Sequence, residues 1–220
     1  MSESANDDAA RHMNGIYKYQ RFIYDVTRKY YLLGRDRLLV DLQPEPGAAV
    51  LEIGCGTGRN LILAARRYPD STFYGFDIST EMLTTARSAI ARAGLEDRVI
   101  VDQGDASNFD LERLFGLKAA DRVFISYSLS MIPPWRESID AALRAVSIGG
   151  RLHIVDFGQQ SGLPAWFKAA LFAWLARFSV TPRSELSSEV KRRAEALGFS
   201  YDGQALYRDY AHYAIVSRAK

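Results

Sequence analysis

The stretch "VLEIGCGTG", residues Val50–Gly58, joins a short apolar run to three alternating glycines. An apolar run of this length is typical of a buried strand, and glycines let the loop that follows approach a ligand closely. The spacing differs from the G-x-G-x-x-G dinucleotide fingerprint, and no Gly-Lys-Ser/Thr follows to form a Walker loop. The stretch therefore predicts a strand, a glycine loop and a helix, with the acid Glu52 on the strand.

Strand-like and helix-like patterns continue to alternate after this loop. Strands are predicted at 48–53, 72–77, 99–102, 121–126 and 151–156, and helices at 59–67, 80–93, 109–115 and 136–146. Strands separated in this way form a parallel sheet that is covered on both faces. Helices at 163–178 and 185–197 and two antiparallel edge strands at 200–206 and 210–217 complete the pattern. We expect an α/β fold, a doubly wound, seven-stranded Rossmann-like sheet whose last strand is antiparallel.

Length and composition favour one domain in a reducing compartment. At 220 residues the chain suits a single α/β domain. We interpret 1–12 as a disordered tail, 13–43 as a helical cap and 48–217 as the core. One cysteine, Cys55, excludes an internal disulfide. The sequence has no signal-peptide pattern and no apolar run long enough to span a bilayer, so we expect a cytoplasmic protein whose membrane contact is peripheral.

Two further carboxylates follow the next two predicted strands. Asp77 ends the second strand in "YGFDIS", where it can accept both hydroxyls of a ribose. Asp105 follows the third strand in "GDAS", where it can accept a proton from an adenine amine, and Ile78 and Met82 can pad the adenine faces. Each acid alone is equally consistent with a helix cap. Their order after the glycine loop favours a nucleoside site.

The glycine loop, Asp77 and Asp105 together resemble the motifs of the class I S-adenosylmethionine-dependent methyltransferases. The resemblance covers residues 48–217 and implies that S-adenosylmethionine is the cofactor and S-adenosylhomocysteine the product. Cys55 is then a small loop residue rather than a nucleophile. The implied cofactor-binding residues are Arg35, Glu52, Gly54, Cys55, Gly56, Asp77, Ile78, Met82, Gly104, Asp105, Ala106 and Ser126.

Methyl transfer from a sulfonium needs alignment and exclusion of water rather than covalent catalysis. No catalytic triad and no metal site are predicted, and His153, in mid-strand, is interpreted as a core residue. "IPPW" (Ile132–Trp135) resembles the Pro-Pro-aromatic motif of amino-methylating nucleic-acid enzymes, but Ile132 replaces the polar residue that would bind the amine. Net charge is only +2. We therefore expect no nucleic-acid partner and interpret the prolines as the start of a helix.

The segment "YDVTRKYYLLGRDR", Tyr24–Arg37, combines tyrosines with bases. Aromatic faces attract quaternary ammonium, and arginine binds carboxylate or phosphate in a bidentate mode. The segment predicts a pocket for a zwitterion, and the alternative is a core-packing helix with a solvated basic face. The residues assigned to the pocket are, as catalytic, Tyr24, Tyr31 and Tyr127 and, as substrate-binding, Tyr17, Arg28 and Lys29.

A third pattern lies in "LPAWFKAALFAWLARF", residues 163–178. Tryptophan and phenylalanine alternate with Lys168 and Arg177, a composition typical of a helix that lies in a lipid headgroup layer. The alternative is a helix that fills the usual slot after the fifth strand of the sheet. Both interpretations can hold together.

The front segment followed by "VLEIGCGTGRN" closely resembles the bacterial betaine-lipid N-methyltransferases, over most of the chain from Tyr17 onward. The resemblance implies three successive transfers that convert diacylglyceryl-homoserine to diacylglyceryl-trimethylhomoserine, by a cytoplasmic enzyme at the inner face of the cell membrane. It also implies that Tyr24, Tyr31 and Arg35 cap the cofactor end and the headgroup pocket. A separate enzyme must build the homoserine lipid. Association with that enzyme and the oligomeric state stay open.

Three other functions remain as alternatives. A phosphatidylethanolamine N-methyltransferase would use the bases for a phosphate instead of a carboxylate. A quinone C-methyltransferase would need a base for the ring carbon, and the sequence offers no convincing one. A cofactor-binding subunit that activates a partner would keep Asp77 and Asp105 and lack turnover.

Overall fold

The computed structural model describes residues 32–220. Its strands are β1 (Ala49–Ile53), β2 (Thr72–Asp77), β3 (Val99–Gln103), β4 (Ala120–Ser126), β5 (Val146–Phe157), β6 (Ser200–Leu206) and β7 (Ala211–Ser217). Its helices are α1 (Arg35–Asp41), α2 (Arg59–Arg67), α3 (Thr80–Ala93), α4 (Leu111–Phe115), α5 (Trp135–Arg144), α6 (Ala165–Ala176) and α7 (Leu186–Ala196).

Within this part of the chain the strands form a seven-stranded sheet in the order β3-β2-β1-β4-β5-β7-β6. Strands β1 to β5 run parallel to one another, whereas β7 is antiparallel to both β5 and β6. The strand order reverses between β1 and β4, and ligands of open α/β sheets bind outside the carboxyl ends of the strands at such a point. The predicted fold class is confirmed.

Alternate residues of the central strands point into two apolar layers. Val50 and Phe124 belong to the layer that contains residues of α1, α2 and α3, whereas Leu51 and Val123 belong to the layer of α5 and α7. Side chains alternate between the two faces of a strand, and helices cover both faces here, so most residues of these strands are apolar. The glycine loop therefore leaves a strand that is packed on both sides.

The prediction of one continuous helix over 13–43 is wrong for the residues of this segment that the structure describes. Leu32, Leu33 and Gly34 lie outside any helix, Gly34 has a φ of 87°, and α1 begins only at Arg35. A Cβ at Gly34 would lie 3.2 Å from Cγ2 of Val155, so the glycine allows close packing on the sheet. The apolar spacing used for the prediction ran across this turn. Residues 1–31, with the tail and most of the predicted cap, lie outside the described residues.

Two boundaries of the sheet also differ from the prediction. Strand β5 begins at Val146 instead of residue 151, because Val146 pairs with Ala120 before the register shifts and Arg151 pairs with Arg122. The predicted pair of edge strands is wrong in one respect, since β7 is inserted between β5 and β6 and only β6 lies at the edge. Strand β7 has a neighbouring strand on each side, yet its alternation of apolar and polar residues is that of an edge strand. The sequence pattern therefore did not show which of the two strands lies at the edge.

Helix α7, rather than α6, covers the sheet after β5. Leu186, Val190 and Ala194 of α7 are buried in the same apolar layer as Ile139 of α5 and Leu152 of β5. In α6 the buried residue is Leu175, and Trp166 is 72% exposed. The predicted slot after the fifth strand is therefore filled by α7, whereas α6 packs Leu175 and part of Trp174 against the other apolar layer.

Both ends of α6 are fixed at the carboxyl edge of the sheet. Before α6, Gly162 N donates to Arg208 O at 3.2 Å, in the turn that follows the carboxyl end of β6. After α6, Thr181 N donates to Ser130 O at 2.8 Å, in the connection that follows β4. The exposed apolar helix therefore lies on the side of the molecule to which the glycine loop belongs. No described helix is both long enough and apolar enough to cross a membrane.

Candidate active site

The glycine loop folds back onto the end of β2. The backbone N–H groups of Gly54 and Cys55 both donate to Phe76 O at 3.0 Å. Gly54 has a φ of 72°, and a Cβ at this position would lie 2.8 Å from Cβ of Ser128. Glycine alone fits here without a shift, because side-chain-bearing residues rarely adopt this φ and the space is already filled.

Asp77 holds the loop from the end of β2. Its Oδ2 accepts a hydrogen bond from Gly56 N at 2.9 Å, and its Oδ1 accepts one from Ser79 N at 2.9 Å. Ser79 caps α3, because its Oγ accepts from Met82 N at 3.3 Å. Each carboxylate oxygen has two acceptor positions, so Asp77 can fix the loop and still accept hydroxyl protons from a ligand.

Asp105 lies beside Asp77 across the sheet. Asp77 pairs with Gln103, the last residue of β3, so the chain that follows β3 runs past the end of β2. Oδ1 of Asp105 accepts from Ser107 N at 2.8 Å and from Ser107 Oγ at 2.7 Å. These two hydrogen bonds lower the pKa of Asp105 below its ordinary value. The carboxylate is therefore ionised at neutral pH, with its second oxygen available to a donor.

These elements border a cavity of about 310 Å³ at the carboxyl edge. Asp77 and Asp105 line it together with the apolar side chains of Ile78 and Met82, and Ile78 is 68% exposed. A mainly apolar cavity with a few converging acceptors is typical of a site for a small organic ligand. Its lining residues are Gly54, Gly56, Phe76, Asp77, Ile78, Ser79, Met82, Gly104, Asp105, Ala106, Ser128, Met131, Ile132, Pro133 and Pro134.

A smaller cavity, of about 50 Å³, lies on the other side of Gly54 and is strongly charged. Glu52 is 1% exposed, and its Oε1 accepts from Nδ2 of Asn60 at 2.7 Å. Arg35 is 5% exposed and donates to Asp36, a neighbour whose side chain is 82% exposed. The residues that line this cavity are Leu32, Arg35, Glu52, Gly54, Cys55, Thr57, Arg59, Asn60 and Ser126.

The electrostatics of the smaller cavity favour a polar, charged ligand. Burial and the nearby carboxylates of Glu52 and Asp77 raise the pKa of the Cys55 thiol, so Cys55 stays protonated and is not a nucleophile. Burial and the guanidinium of Arg35 lower the pKa of Arg59. The Oγ of Ser126 is buried and has no hydrogen-bond partner within residues 32–220. Buried polar atoms rarely lack partners, so this one fits a ligand contact.

A family model described as a methyltransferase domain matches residues 44–197. The chain belongs to this methyltransferase family. Membership confirms the predicted class, an S-adenosylmethionine-dependent methyltransferase of class I, and its cofactor. The described residues fit that cofactor, because the larger cavity pairs apolar walls with two carboxylates for a nucleoside. The smaller cavity offers opposite charges for an amino-acid end.

Relatives of different specificity match the chain over part of their length. A phosphatidylethanolamine N-methyltransferase of Cereibacter sphaeroides is 33% identical over 136 residues, 61% of this chain and 62% of that protein. A ubiquinone/menaquinone biosynthesis C-methyltransferase of C. sphaeroides is 26% identical, over 67% of this chain and 59% of that protein. A tRNA1(Val) (adenine(37)-N6)-methyltransferase of Porphyromonas gingivalis is 28% identical, over 49% and 45%. The chain covers less than two thirds of each of these relatives.

The fold is shared with solved methyltransferase structures. Geranyl diphosphate methyltransferase in complex with SAM has a TM-score of 0.64 and 15% identity to this chain, and the match covers 86% of this chain and 85% of that one. Identity at this level shows the common fold and no more.

The structure brings together all the residues predicted to bind the cofactor. Gly54, Gly56, Asp77, Ile78, Met82, Gly104, Asp105 and Ala106 line the larger cavity, and Arg35, Glu52, Cys55 and Ser126 line the smaller one. Their roles remain predictions, because the cavities show where the side chains lie and not what they bind.

Tyr127 lies apart from both cavities. Its ring is fully buried, and its hydroxyl donates to Leu33 O. Burial and the charge of Asp156 raise the pKa of Tyr127 well above its ordinary value, so the phenol keeps its proton. This placement corrects the predicted position in a cavity wall and gives Tyr127 an anchoring contact instead. The other residues predicted to form the pocket lie outside the described residues. They are Tyr17, Tyr24, Arg28, Lys29 and Tyr31.

The sequence interpretation missed two groups of lining residues. Thr57 lies within the glycine loop, Arg59 and Asn60 follow it directly, and all three line the smaller cavity, so their position in or next to the motif was an available signal. Ile132, Pro133 and Pro134 line the larger cavity, although we interpreted them only as the start of a helix. Pro134 does precede α5, so both descriptions of this segment hold.

Proposed function

We propose that this protein trimethylates the amine of diacylglyceryl-homoserine to give the betaine lipid diacylglyceryl-trimethylhomoserine. The observation that carries the lipid class is the position of α6, an apolar helix that packs one side against the core, exposes Trp166 and is fixed at both ends to the carboxyl edge of the sheet. The resemblance of the front segment to betaine-lipid N-methyltransferases supports the homoserine headgroup.

The exposed side of α6 has the chemistry of a lipid headgroup layer. Trp166 is 72% exposed and lies edge-on to Phe167, with ring centroids 5.9 Å apart. Nζ of Lys168 lies 5.3 Å from the ring centroid of Phe172, so the helix presents a cation among aromatic rings. Tryptophan and phenylalanine partition to the headgroup boundary, and Lys and Arg attract anionic lipids. We propose the lipid surface as the occupant of this face, which makes the protein peripheral to the membrane.

The described residues have separate tasks in this reaction. Asp77, Asp105 and the glycine loop would hold the nucleoside, and Glu52 and Arg35 would hold the amino-acid end of the cofactor. When bound, S-adenosylmethionine supplies an activated methyl group on its sulfonium. The protein's contribution is to orient the lipid amine in line with that group and to exclude water.

The first test is product analysis with defined vesicles. Purified protein is incubated with S-adenosylmethionine and vesicles that contain diacylglyceryl-homoserine, and the lipids are analysed by mass spectrometry. We expect products with one, two and three added methyl groups, and none with the Asp77→Ala variant as control. A protein that binds the cofactor and modifies no lipid would contradict the proposal and favour a cofactor-binding subunit.

The role of α6 is tested by sedimentation with vesicles that contain an anionic lipid. Loss of the Trp166 ring from the headgroup layer should lower the partition constant of Trp166→Ala about fivefold, since part of a large aromatic surface returns to water. Ile148→Ala is the matched control, because Ile148 is 71% exposed at the opposite edge, near the start of β5. Equal binding by Trp166→Ala and wild type would contradict a lipid surface and favour residues 13–31 or another protein as the occupant.

Phosphatidylethanolamine is the second candidate substrate. The observation that favours it is the 33% identity to a phosphatidylethanolamine N-methyltransferase. Its headgroup carries a phosphate instead of a carboxylate, and arginine binds both in a bidentate mode. Nucleic acid is not a proposed partner, and association with the enzyme that builds the homoserine lipid is an open part of the proposal.

A further inference from the structure

The smaller cavity contains two guanidinium groups, one more than the cofactor's single carboxylate requires. We propose that Arg59 binds the carboxylate of the substrate headgroup and that Arg35 binds the carboxylate of the cofactor. This inference rests on the proposed function, which it deepens by naming the residue that recognises the headgroup.

The two arginines differ in their access to solvent. Arg35 is 5% exposed, and Asp36 uses two of its N–H groups, from Nε at 3.2 Å and from Nη2 at 3.0 Å. Arg59 is exposed and has no hydrogen bond or ion pair with any described residue. A cofactor of this fold lies along the carboxyl edge of the sheet, so the buried arginine suits the cofactor. The exposed one suits a substrate that enters from the membrane side.

The charge balance of the cavity supports this division. Glu52 is the buried carboxylate and matches the cofactor's ammonium group, while one arginine matches its carboxylate. Within the cavity the other arginine adds a second positive charge, because Asp36, which pairs with Arg35, is not a lining residue. Burial and the charge of Arg35 already lower the pKa of Arg59, which means that the two guanidinium groups repel each other. A second bound anion would relieve that repulsion.

The geometry of the headgroup makes this charge useful. In homoserine the amine and the carboxylate are attached to the same carbon, so a residue that fixes the carboxylate also fixes the nitrogen within a narrow range. Gly54 lines both cavities, so the smaller cavity adjoins the site where the nitrogen must meet the methyl group. A bidentate guanidinium–carboxylate pair adds direction as well as energy. Arg59 is then a substrate-binding residue that orients the nucleophile.

The test separates the two arginines by two measurements on Arg59→Gln and Arg35→Gln. Affinity for S-adenosylhomocysteine is measured by calorimetry, and the KM for diacylglyceryl-homoserine is measured in mixed micelles. For Arg59→Gln we expect a KM about tenfold higher and a dissociation constant for the cofactor product that changes less than about twofold, as loss of one charged pair predicts. For Arg35→Gln the dissociation constant should rise by a similar factor. Arg59→Lys keeps the positive charge and should have a KM between those of wild type and Arg59→Gln.

A second measurement uses the diacylglyceryl-homoserine methyl ester, in which the headgroup carboxylate is neutral. Wild type should prefer the acid over the ester by about tenfold in kcat/KM, and Arg59→Gln should lose this preference, since the charged pair is then absent in both. A variant that keeps the preference, or one that loses cofactor affinity instead, would overturn the inference. If wild type modifies neither lipid, the proposed function itself fails, and calorimetry still shows which arginine the cofactor uses.

Discussion

The larger and the smaller cavity share Gly54 and are otherwise built in different ways. The larger cavity forms from the ends of β1, β2 and β3 and from the segment that follows β4, and its apolar side chains surround the carboxylates of Asp77 and Asp105. The smaller cavity collects charged side chains from separate segments, among them Arg35 from α1 and Arg59 from α2. Both cavities are assembled by the tertiary fold and differ in chemistry, since the larger one is mainly apolar with two carboxylates and the smaller one is lined by two guanidinium groups and a buried carboxylate. Substitutions that affect one cavity and spare the other test this distinction.

The largest effect is expected from Asp77→Ala. This carboxylate accepts from Gly56 N and Ser79 N and faces the larger cavity, so its loss releases the loop and removes the ribose acceptor. We expect about a hundredfold weaker binding of S-adenosylhomocysteine by calorimetry, as for two charge-assisted hydrogen bonds. Asp77→Asn keeps one oxygen and should lose about tenfold. Affinity within threefold of wild type for Asp77→Ala would remove this residue from the site.

Gly54→Ala should impair both cavities at once. The new Cβ would lie 2.8 Å from Cβ of Ser128, and φ at this position is 72°. We expect about a thirtyfold loss of cofactor affinity, from a clash and an unfavourable φ that together cost about 2 kcal/mol. Ser128→Gly removes the clashing atom, so the double variant should recover part of the loss while the strain of φ remains. A double variant no better than Gly54→Ala would show that the crowding at Ser128 is not the cause.

A smaller effect on the larger cavity is expected from Asp105→Ala. The carboxylate is exposed and is already bound by Ser107, so its loss should weaken cofactor binding about fivefold. The hydrogen bonds from Ser107 hold the pKa of Asp105 below its ordinary value, so the group stays ionised and the affinity should not change between pH 5.5 and 8 because of it. Ser107→Ala removes one donor and should raise that pKa. An affinity that falls already between pH 7 and 6 in wild type, but not in Asp105→Ala, would contradict this assignment.

No effect on either cavity is expected from His153→Leu, which tests the core. His153 is fully buried, and neither ring nitrogen has a partner within residues 32–220. Burial lowers the pKa of His153 to about 3. The unfolded chain binds the proton at an ordinary pKa near 6.5, so stability is lost as the pH falls below about 6.5.

When the pH falls from 7 to 5, the free energy of unfolding of wild type should decrease by about 2 kcal/mol because of His153. The free energy of unfolding of His153→Leu should not show this decrease. Urea unfolding at both pH values measures the difference. Equal pH dependence in the two proteins would mean that His153 is not the group responsible, and a change in cofactor affinity would mean that the core and the cavities are coupled.

The limits of sequence interpretation can be traced to particular residues. Asp77 and Asp105 were predictable because each follows a strand directly, and parallel strands bring their carboxyl ends together. The position of Tyr127 was not predictable, since its hydroxyl binds a carbonyl, Leu33 O, that is distant in sequence. The start of α1 was missed because helix-like spacing does not reveal that Gly34 has a positive φ. The composition of α6 predicted a lipid-facing helix or a sheet-covering one. The structure showed that α7 covers one face of the sheet, while α6 packs Leu175 against the other apolar layer and exposes Trp166.

Competition between two lipids distinguishes the proposed homoserine substrate from phosphatidylethanolamine. Diacylglyceryl-homoserine and phosphatidylethanolamine are offered together in mixed micelles with S-adenosylmethionine, and the products are counted by mass spectrometry. We expect products with one, two and three added methyl groups on the homoserine lipid, and unmodified phosphatidylethanolamine. Methylation of phosphatidylethanolamine instead would contradict the proposed betaine-lipid function and identify the smaller cavity as a phosphate site.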